Sequence, residues 1–374
     1  MGNTLDDPSE PPDSVSIKNF SEFPKTSINS TNDLVRELSK KNIFLSEKEI
    51  EDINKVIEKY PMRINPHFFS LIKEKNDSIW NQCVPNIKEI EDERGEEDPL
   101  NEENEIPCLT HRYPDRALLL VSNTCAMYCR FCTRKRKVGE IRKNPSKKDI
   151  DRAINYIKNH SEIRDVIISG GDPLLLSDKK IEEILISLRK ISHIEMIRIG
   201  TRVPCVMPSR ITDSLCEIFR KNNKRPSLYI NTHFENPAEI TEESRIACEK
   251  LIDSGVQLGN QSVILKNINY EPEIFKKLNQ RLLSIGVKPY YIYQPDPVKG
   301  TFHFIGPVEK GLEIIKAIRG HTSGMAVPHF VIDAPGGGGK IPLLPEYAKI
   351  QENGNVKMIN YKNKEYFYNG SEDQ

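Results

Sequence analysis

Apolar and polar positions alternate on two scales along this chain. From residue 117 onward, short apolar runs recur about every thirty residues, separated by stretches with helical periodicity. The runs are ALLLVSN (117–123), DVIISGGD (165–172), IEMIRIGTR (194–202), SLYINTHF (227–234), QLGNQSVIL (257–265) and VKPYYIYQP (287–295). Between them lie KKDIDRAINYIKNH, DKKIEEILISLRKI, ITDSLCEIFRKN, SRIACEKLIDSG and EPEIFKKLNQRLLSIG. This is a β-α unit repeated six times, which predicts parallel strands, continuously apolar because buried on both faces and joined by right-handed crossovers. The fold class expected is α/β, a TIM-type (β/α)6 barrel, whole or partial, with a doubly wound open sheet as the alternative. In such a barrel chemistry gathers where strands end, and polar clusters stand there: SGGDP, GTR, NTHFEN, GNQS and YQPDP.

The ends differ from this core. Residues 1–30 are rich in Pro, Ser and acidic side chains and are expected to be loosely ordered. Residues 31–106 form an N-terminal helical region: TNDLVRELSKK with Thr31 as N-cap, SEKEIEDINKVIEKY with a Ser46–Glu49 capping box, and the short HFFSLIKE. The acidic run 89–106 is expected to be a solvated linker. Residues 107–345 make the core, and 346–374 a short C-terminal extension.

Charge narrows the function classes. Lys plus Arg and Asp plus Glu number 54 each, so nothing favours nucleic acid or an anionic membrane surface as partner. No stretch is long and apolar enough for a membrane span, and the N-terminus carries no secretory pattern. Asp6 stands where a myristoylation signal needs Ser or Thr. A cytoplasmic location is expected, with the eight cysteines reduced, metal-bound or buried.

Two stretches carry candidate chemistry. TCAMYCRFCTRK holds Cys125, Cys129 and Cys132 in a C-x3-C-x2-C spacing on the loop after the first strand. Structural zinc takes four ligands, so three thiols with no local fourth suit an iron–sulfur cluster with one open position better. Spacing alone leaves a zinc site or three packed thiols open. The second stretch, DAPGGGGKIPLLP, sets four glycines before Lys340. Such a turn can offer backbone N–H groups to a phosphate, and a lysine there can form a Schiff base. No Ser or Thr follows Lys340, so this is not a Walker A loop.

The cysteine triplet, with Phe131 before its last member and SGGDP downstream, resembles the radical S-adenosylmethionine (SAM) enzymes. The set LTHRYPDRALLLVSNTCAMYCRFCTRKR, SGGDPLLLSD, NTHFENPAEITEES, GVQLGNQSVIL, PYYIYQPD, RGHTSG and DAPGGGGK resembles the lysine 2,3-aminomutase family over about residues 30–350. The resemblance implies a partial barrel of the radical SAM type. It also implies a [4Fe-4S] cluster on Cys125, Cys129 and Cys132, S-adenosyl-L-methionine on its open iron, and pyridoxal phosphate on Lys340. The implied reaction moves the α-amino group of lysine to C3, an isomerisation.

Residue by residue, the resemblance places Ser169, Gly170, Gly171 and Asp172 beside the amino group of SAM, and His233 and Gln261 beside its adenosine. Arg112, Tyr113, Arg116 and Tyr293 fall near pyridoxal phosphate. Arg134 matches the arginine that grips the substrate carboxylate, and Asp296 and Asp333 the acids that bind the side-chain ammonium. Glutamate-directed relatives replace that acidic pair. An electron donor such as flavodoxin or ferredoxin, and a homo-oligomer, complete the expectation. The sequence departs from longer members of the family in three places: Asn269-Tyr270 stands where they have a cysteine, Pro295 precedes Asp296, and no cysteine after Cys248 could build their C-terminal zinc site.

Overall fold

The computed structural model describes residues 26–102, 106–139 and 144–369. The expected tail falls mainly in residues 1–25, outside the described part. Three helices open the chain: α1 (Thr31–Ser39), α2 (Glu47–Lys59) and α3 (Pro66–Ser70). The capping box of α2 forms as expected, Ser46 and Glu49 bonding each other's backbone N–H. The cap of α1 is Ser30 and not Thr31: the Ser30 hydroxyl accepts from the Asp33 N–H, while Thr31 turns inward to donate to Asn54.

All six expected strands form. They are β2 (Arg116–Leu120), β3 (Asp165–Ser169), β4 (Met196–Gly200), β5 (Ser227–Thr232), β6 (Gln257–Val263) and β7 (Lys288–Tyr293). A seventh, β8 (His329–Ala334), continues the parallel series beside β7. Antiparallel edge strands β1 (Leu109–Tyr113) and β9 (Gly339–Pro342) complete one nine-stranded sheet in sequential order. Six helices make the crossovers: α4 (Lys147–Asn159), α5 (Asp178–Arg189), α6 (Asp213–Asn222), α7 (Glu242–Asp253), α8 (Pro272–Ser284) and α9 (Glu309–Ile318). The barrel is therefore partial, as expected. Its two edge strands meet through a side chain, the Tyr113 hydroxyl accepting from the Lys340 N–H at 2.8 Å.

The strands are not continuously apolar. Burial alternates along β3, β4, β5 and β6, with fully buried residues such as Val166, Ile168, Ile197, Ile199, Leu228 and Ile230 on one face. The other face carries Asp165, Ser169, Arg198, Tyr229, Asn231 and Gln261, all half-buried. An incomplete barrel leaves its interior wet at one end, so the period-2 pattern of a one-sided sheet reappears. Arg198 and Asp165 pair across that inner face at 2.6 Å.

The N-terminal region shares the barrel's core: Leu34, Ile53, Phe68 and Trp80 belong to the same apolar cluster as Ile199, Leu228 and Phe330. A separate small sheet, β10 (Ala348–Ile350), β11 (Val356–Ile359) and β12 (Glu365–Tyr368), forms the C-terminal extension. Among the described residues no helix is long and apolar enough to cross a membrane.

The acidic run is the largest departure from expectation. Among its described residues the acids are solvated only in the middle, where Glu91, Glu93, Glu96 and Glu97 are exposed. Glu89 is fully buried and pairs with Arg130 and Lys135, each at 2.5 Å; Asp98 pairs with Arg136 at 2.7 Å, and Glu102 with Arg134 at 2.8 Å. Four of the cations within and just after the cysteine motif thus find their counter-ions in this strap. Arg130 also donates to the Pro61 carbonyl at 2.9 Å, so the network ties helical region, strap and cysteine loop together.

Burial alone would raise the Glu89 carboxyl, but Arg130 and Lys135 carry it down to about 2. Because that lies below its ordinary 4.5, the stabilisation is complete above pH 4.5 and is lost as pH falls through about 2. Glu89→Gln leaves two buried cations uncompensated and should cost about 3–5 kcal/mol. Urea denaturation at neutral pH checks this, and a loss below about 1 kcal/mol would contradict the role assigned to the network.

Candidate active site

The loop after β2 brings up the three cysteines, all half-buried. Burial, and then the neighbouring thiols, push Cys132 up to about 11 and Cys125 well above its usual range. Thiols that raise one another in this way become ligands when a cation replaces their protons. Among the described residues no three His, Cys, Asp or Glu side chains converge closely enough to chelate a single ion. A cubane cluster does not ask for that convergence, because each thiolate takes a different iron. The half-buried trio on one loop fits such a group.

Gly170 and Gly171 have a reason written in the backbone. Gly170 adopts φ +136°, and a Cβ on Gly171 would stand 2.5 Å from the Thr124 carbonyl oxygen. The Gly171 N–H donates to the Ser122 carbonyl and the Asp172 N–H to that of Thr124, the latter at 2.7 Å. These glycines press the β3 loop onto the segment that presents Cys125. The carboxylate of Asp172, expected beside SAM, is spent within the protein. It accepts from the Thr201 hydroxyl at 2.7 Å, the Arg202 N–H at 2.8 Å and the Leu174 N–H at 3.0 Å, and burial raises it to about 6.

Arg134 lies between this loop and the far end of the chain. Its Nε and Nη2 both donate to Glu102 at 2.8 Å, while Nη1 makes only long contacts, 3.4 Å to Ser169 Oγ and 3.3 Å to the Gly170 carbonyl. Burial would lower the Arg134 guanidinium, but Glu102 and then Cys132 and Cys125 hold it above its usual value. It therefore sits within electrostatic reach of the thiols.

The glycine-rich segment forms the opposite wall. Gly336, Gly337 and Gly339 have φ of +64°, +87° and +89°, left-handed turns that fold β9 back on β8. This register sets Lys340 across from Asp333. The Lys340 ammonium donates to both Asp333 oxygens at 2.9 and 3.0 Å and lies 4.9 Å from the centre of the Tyr293 ring. Burial, then Asp333, raises Asp296 to about 7; Lys340 opposes the rise, Glu102 adds to it and Arg112 also opposes. Asp296, Asp333 and Lys340 thus share one field with Glu102, the partner of Arg134. Arg112 lies against Gly337 and donates to the Leu100 carbonyl, so a guanidinium flanks the glycine turn, a pairing that suits a phosphate. Arg116 is paired with Asp115 at 2.8 Å and stacked over Tyr113, so its link to the turn runs through that ring.

His233, at the end of β5, lies edge-on to Phe131 with ring centres 5.9 Å apart and pairs with buried Glu235. Gln261 stands half-buried on the inner face of β6. Asn269 is fully buried; it accepts from Leu265 N–H and donates to Glu235 and to the Val263 carbonyl. It braces the acid behind His233, an amide task for which a thiol has too few donors and acceptors. Three positions that the structure brings to the site carried no assignment from sequence: Glu102, Glu235 and Arg202. Arg202 and Glu235 had a signal, the polar GTR and NTHFEN at strand ends. Cys83, Cys205, Cys216 and Cys248 are buried as ordinary packed thiols.

A model of the Radical SAM superfamily matches residues 119–278, the segment that carries the cysteine loop and strands β3 to β6. A second model, described as Lysine-2,3-aminomutase, matches residues 315–373 and so includes Lys340. The chain is 49% identical over 356 residues to an L-lysine 2,3-aminomutase of Methanococcus maripaludis, covering 94% of this chain and 82% of that one. It is 50% identical to the L-lysine 2,3-aminomutase of Bacillus subtilis over 86% of this chain and 69% of that one. It is also 48% identical to a glutamate 2,3-aminomutase of Clostridioides difficile, over 82% of this chain and 73% of that one. The chain belongs to the lysine 2,3-aminomutase family of radical SAM isomerases. Membership brings the [4Fe-4S] cluster and S-adenosylmethionine as cofactors.

Gly171→Ala should drive the β3 loop off Thr124 and displace Cys125. Anaerobic iron reconstitution should then load well under half the wild-type iron; full loading would show that the loop tolerates the extra carbon.

Proposed function

We propose that this chain is an L-lysine 2,3-aminomutase that uses pyridoxal phosphate on Lys340 with a cluster and SAM on the cysteine loop. The observation that carries the choice of substrate is the acidic pair Asp296 and Asp333 around the Lys340 ammonium. Overall identity does not separate lysine from glutamate, since relatives named for either stand near 48%. Charge does. Two carboxylates in a half-buried pocket stabilise a cation and repel the side chain of glutamate.

The residues divide the work by charge. Arg134 presents its Nη1 side to the substrate carboxylate while Glu102 holds the Nε–Nη2 edge, which fixes the guanidinium plane. Asp333, which here neutralises Lys340, would be available to the substrate ammonium with pyridoxal phosphate held on Lys340. Asp296, raised to about 7, must give up its proton to become the second anion. When bound, the cluster with SAM supplies one-electron cleavage to a carbon radical, and pyridoxal phosphate supplies the conjugated ring that delocalises an unpaired electron. Arg112, Tyr113 and the Gly336–Gly339 turn would hold the phosphate end; Ser169, Gly170, His233 and Gln261 would line the SAM side. The Tyr293 ring centre lies 4.9 Å from the Lys340 ammonium, so the ring would flank the cofactor end of that side chain. An external low-potential electron donor of flavodoxin or ferredoxin type is required.

Anaerobic reconstitution with iron, sulfide, pyridoxal phosphate, SAM and dithionite, followed by mass analysis of products from lysine, tests the function. β-Lysine is expected, and none from Lys340→Ala or Cys129→Ala; turnover of glutamate in preference to lysine would overturn the choice of substrate. Asp296→Asn and Asp333→Asn should each raise KM for lysine tenfold or more with a smaller change in kcat. KM of the wild type should rise as pH falls below about 7, where Asp296 takes up its proton, and the Asp296→Asn enzyme should lack that dependence.

A further inference from the structure

The loop after β4 places a charge on the cysteine trio from behind. Arg202 is buried, and its Nη1 donates to Cys129 Sγ at 2.9 Å. Everything else about the side chain serves to hold that one contact. Nε donates to the His233 carbonyl at 2.9 Å, and Nη2 donates to Gln82 Oε1 and lies 3.4 Å from Glu239. Gln82 Nε2 in turn donates to Glu239 at 2.6 Å, so its amide cannot swing away. The guanidinium carbon lies 5.3 Å from the ring centres of both Phe68 and Phe131. The Arg202 N–H donates to Asp172 at 2.8 Å, which ties its backbone to the glycine loop packed against the segment that presents Cys125. Six partners, His233, Gln82, Glu239, Phe68, Phe131 and Asp172, fix a permanent cation against one sulfur.

We infer that Arg202 is a positioning residue for electron transfer: its N–H···S bond to Cys129 sets the reduction potential of the cluster held by the trio. This rests on the cluster reading of Cys125, Cys129 and Cys132. One electron from an external one-electron reductant converts the oxidised cluster to its reduced form; no bond at the protein forms or breaks, and no proton moves. The reduced cluster carries one more negative charge. A donor to a ligand sulfur and a cation in a low-dielectric pocket both stabilise that charge, so both raise the potential. Arg202 stays charged at every working pH, so its contribution does not vary between pH 6 and 9. The planar fork also explains the residue type. A lysine could bring the charge but could not bond Cys129, His233 and Gln82 together.

The test is a redox titration of the reconstituted enzyme, followed by the paramagnetic resonance of the reduced cluster. Arg202→Gln is expected to shift the reduction equilibrium at least tenfold toward the oxidised form, about 59 mV for a one-electron couple. Arg202→Lys should fall between Arg202→Gln and wild type, with both shifts independent of pH. Gln82→Met leaves Arg202 in place but frees Nη2; it should move the potential the same way by less, and it decides the matter if Arg202→Gln does not fold. A potential unchanged from wild type in iron-loaded Arg202→Lys and Gln82→Met overturns the inference alone. A wild-type chain that binds no iron overturns it together with the cluster reading beneath it.

Discussion

One buried carboxylate governs the shape of the catalytic end. Glu89 receives Arg130 and Lys135 with no exposed surface of its own. Breaking such a group open costs far more than it contributes when intact, so its worth is in specificity. Only one arrangement of helical region, acidic strap and cysteine loop satisfies all three charges. That arrangement sets the three thiols at a fixed height above the ends of β2 and β3. From the same strap Asp98 and Glu102 reach Arg136 and Arg134.

The result is a row of charges from one wall of the site to the other, with three acids together between two cations. Cys125 and Cys132 lie within the field of Arg134, Arg134 is bonded by Glu102, and Glu102 acts on Asp296. Asp296 in turn feels Asp333, which holds Lys340. In the proposed reading the row leaves two deficits for a zwitterionic amino acid with a cationic side chain: the substrate carboxylate would meet Arg134, and the side-chain ammonium the acid pair. A substrate with the opposite side-chain charge would find the second deficit reversed.

The incomplete barrel makes room for this row. Seven parallel strands do not close, so the interior keeps polar, half-buried residues such as Ser169, Asn231 and Gln261 instead of interlocking layers of Val and Ile. The edges are joined by Tyr113 and the backbone of Lys340. That contact gives the tyrosine a second duty, since it also sets the position from which the lysine side chain departs. The glycines before Lys340 turn β9 back, and the antiparallel register with β8 then puts Lys340 opposite Asp333.

Local patterning alone determined the six strands, their crossover helices, the Ser46–Glu49 box, the cysteine spacing and the glycine turn before Lys340. Each of these depends on neighbours within a few residues, or on periodicity along one element. What the fold alone decided are pairings across long separations. The acidic run looked solvated because charge runs usually are; Glu89, Asp98 and Glu102 leave the solvent only because cations more than thirty residues onward fold against them. Asp172 was expected beside SAM; that its carboxylate is a brace shows only in the fold, because Thr201 and Arg202 arrive from the end of the next strand to use its oxygens. Arg202 itself was one polar residue among several at strand ends. Its aim at Cys129 needed Phe68 and Gln82 from the helical region and Glu239 from beyond β5. A side chain's chemistry is written in its identity, but its partner is set by the packing of elements that the linear order keeps far apart.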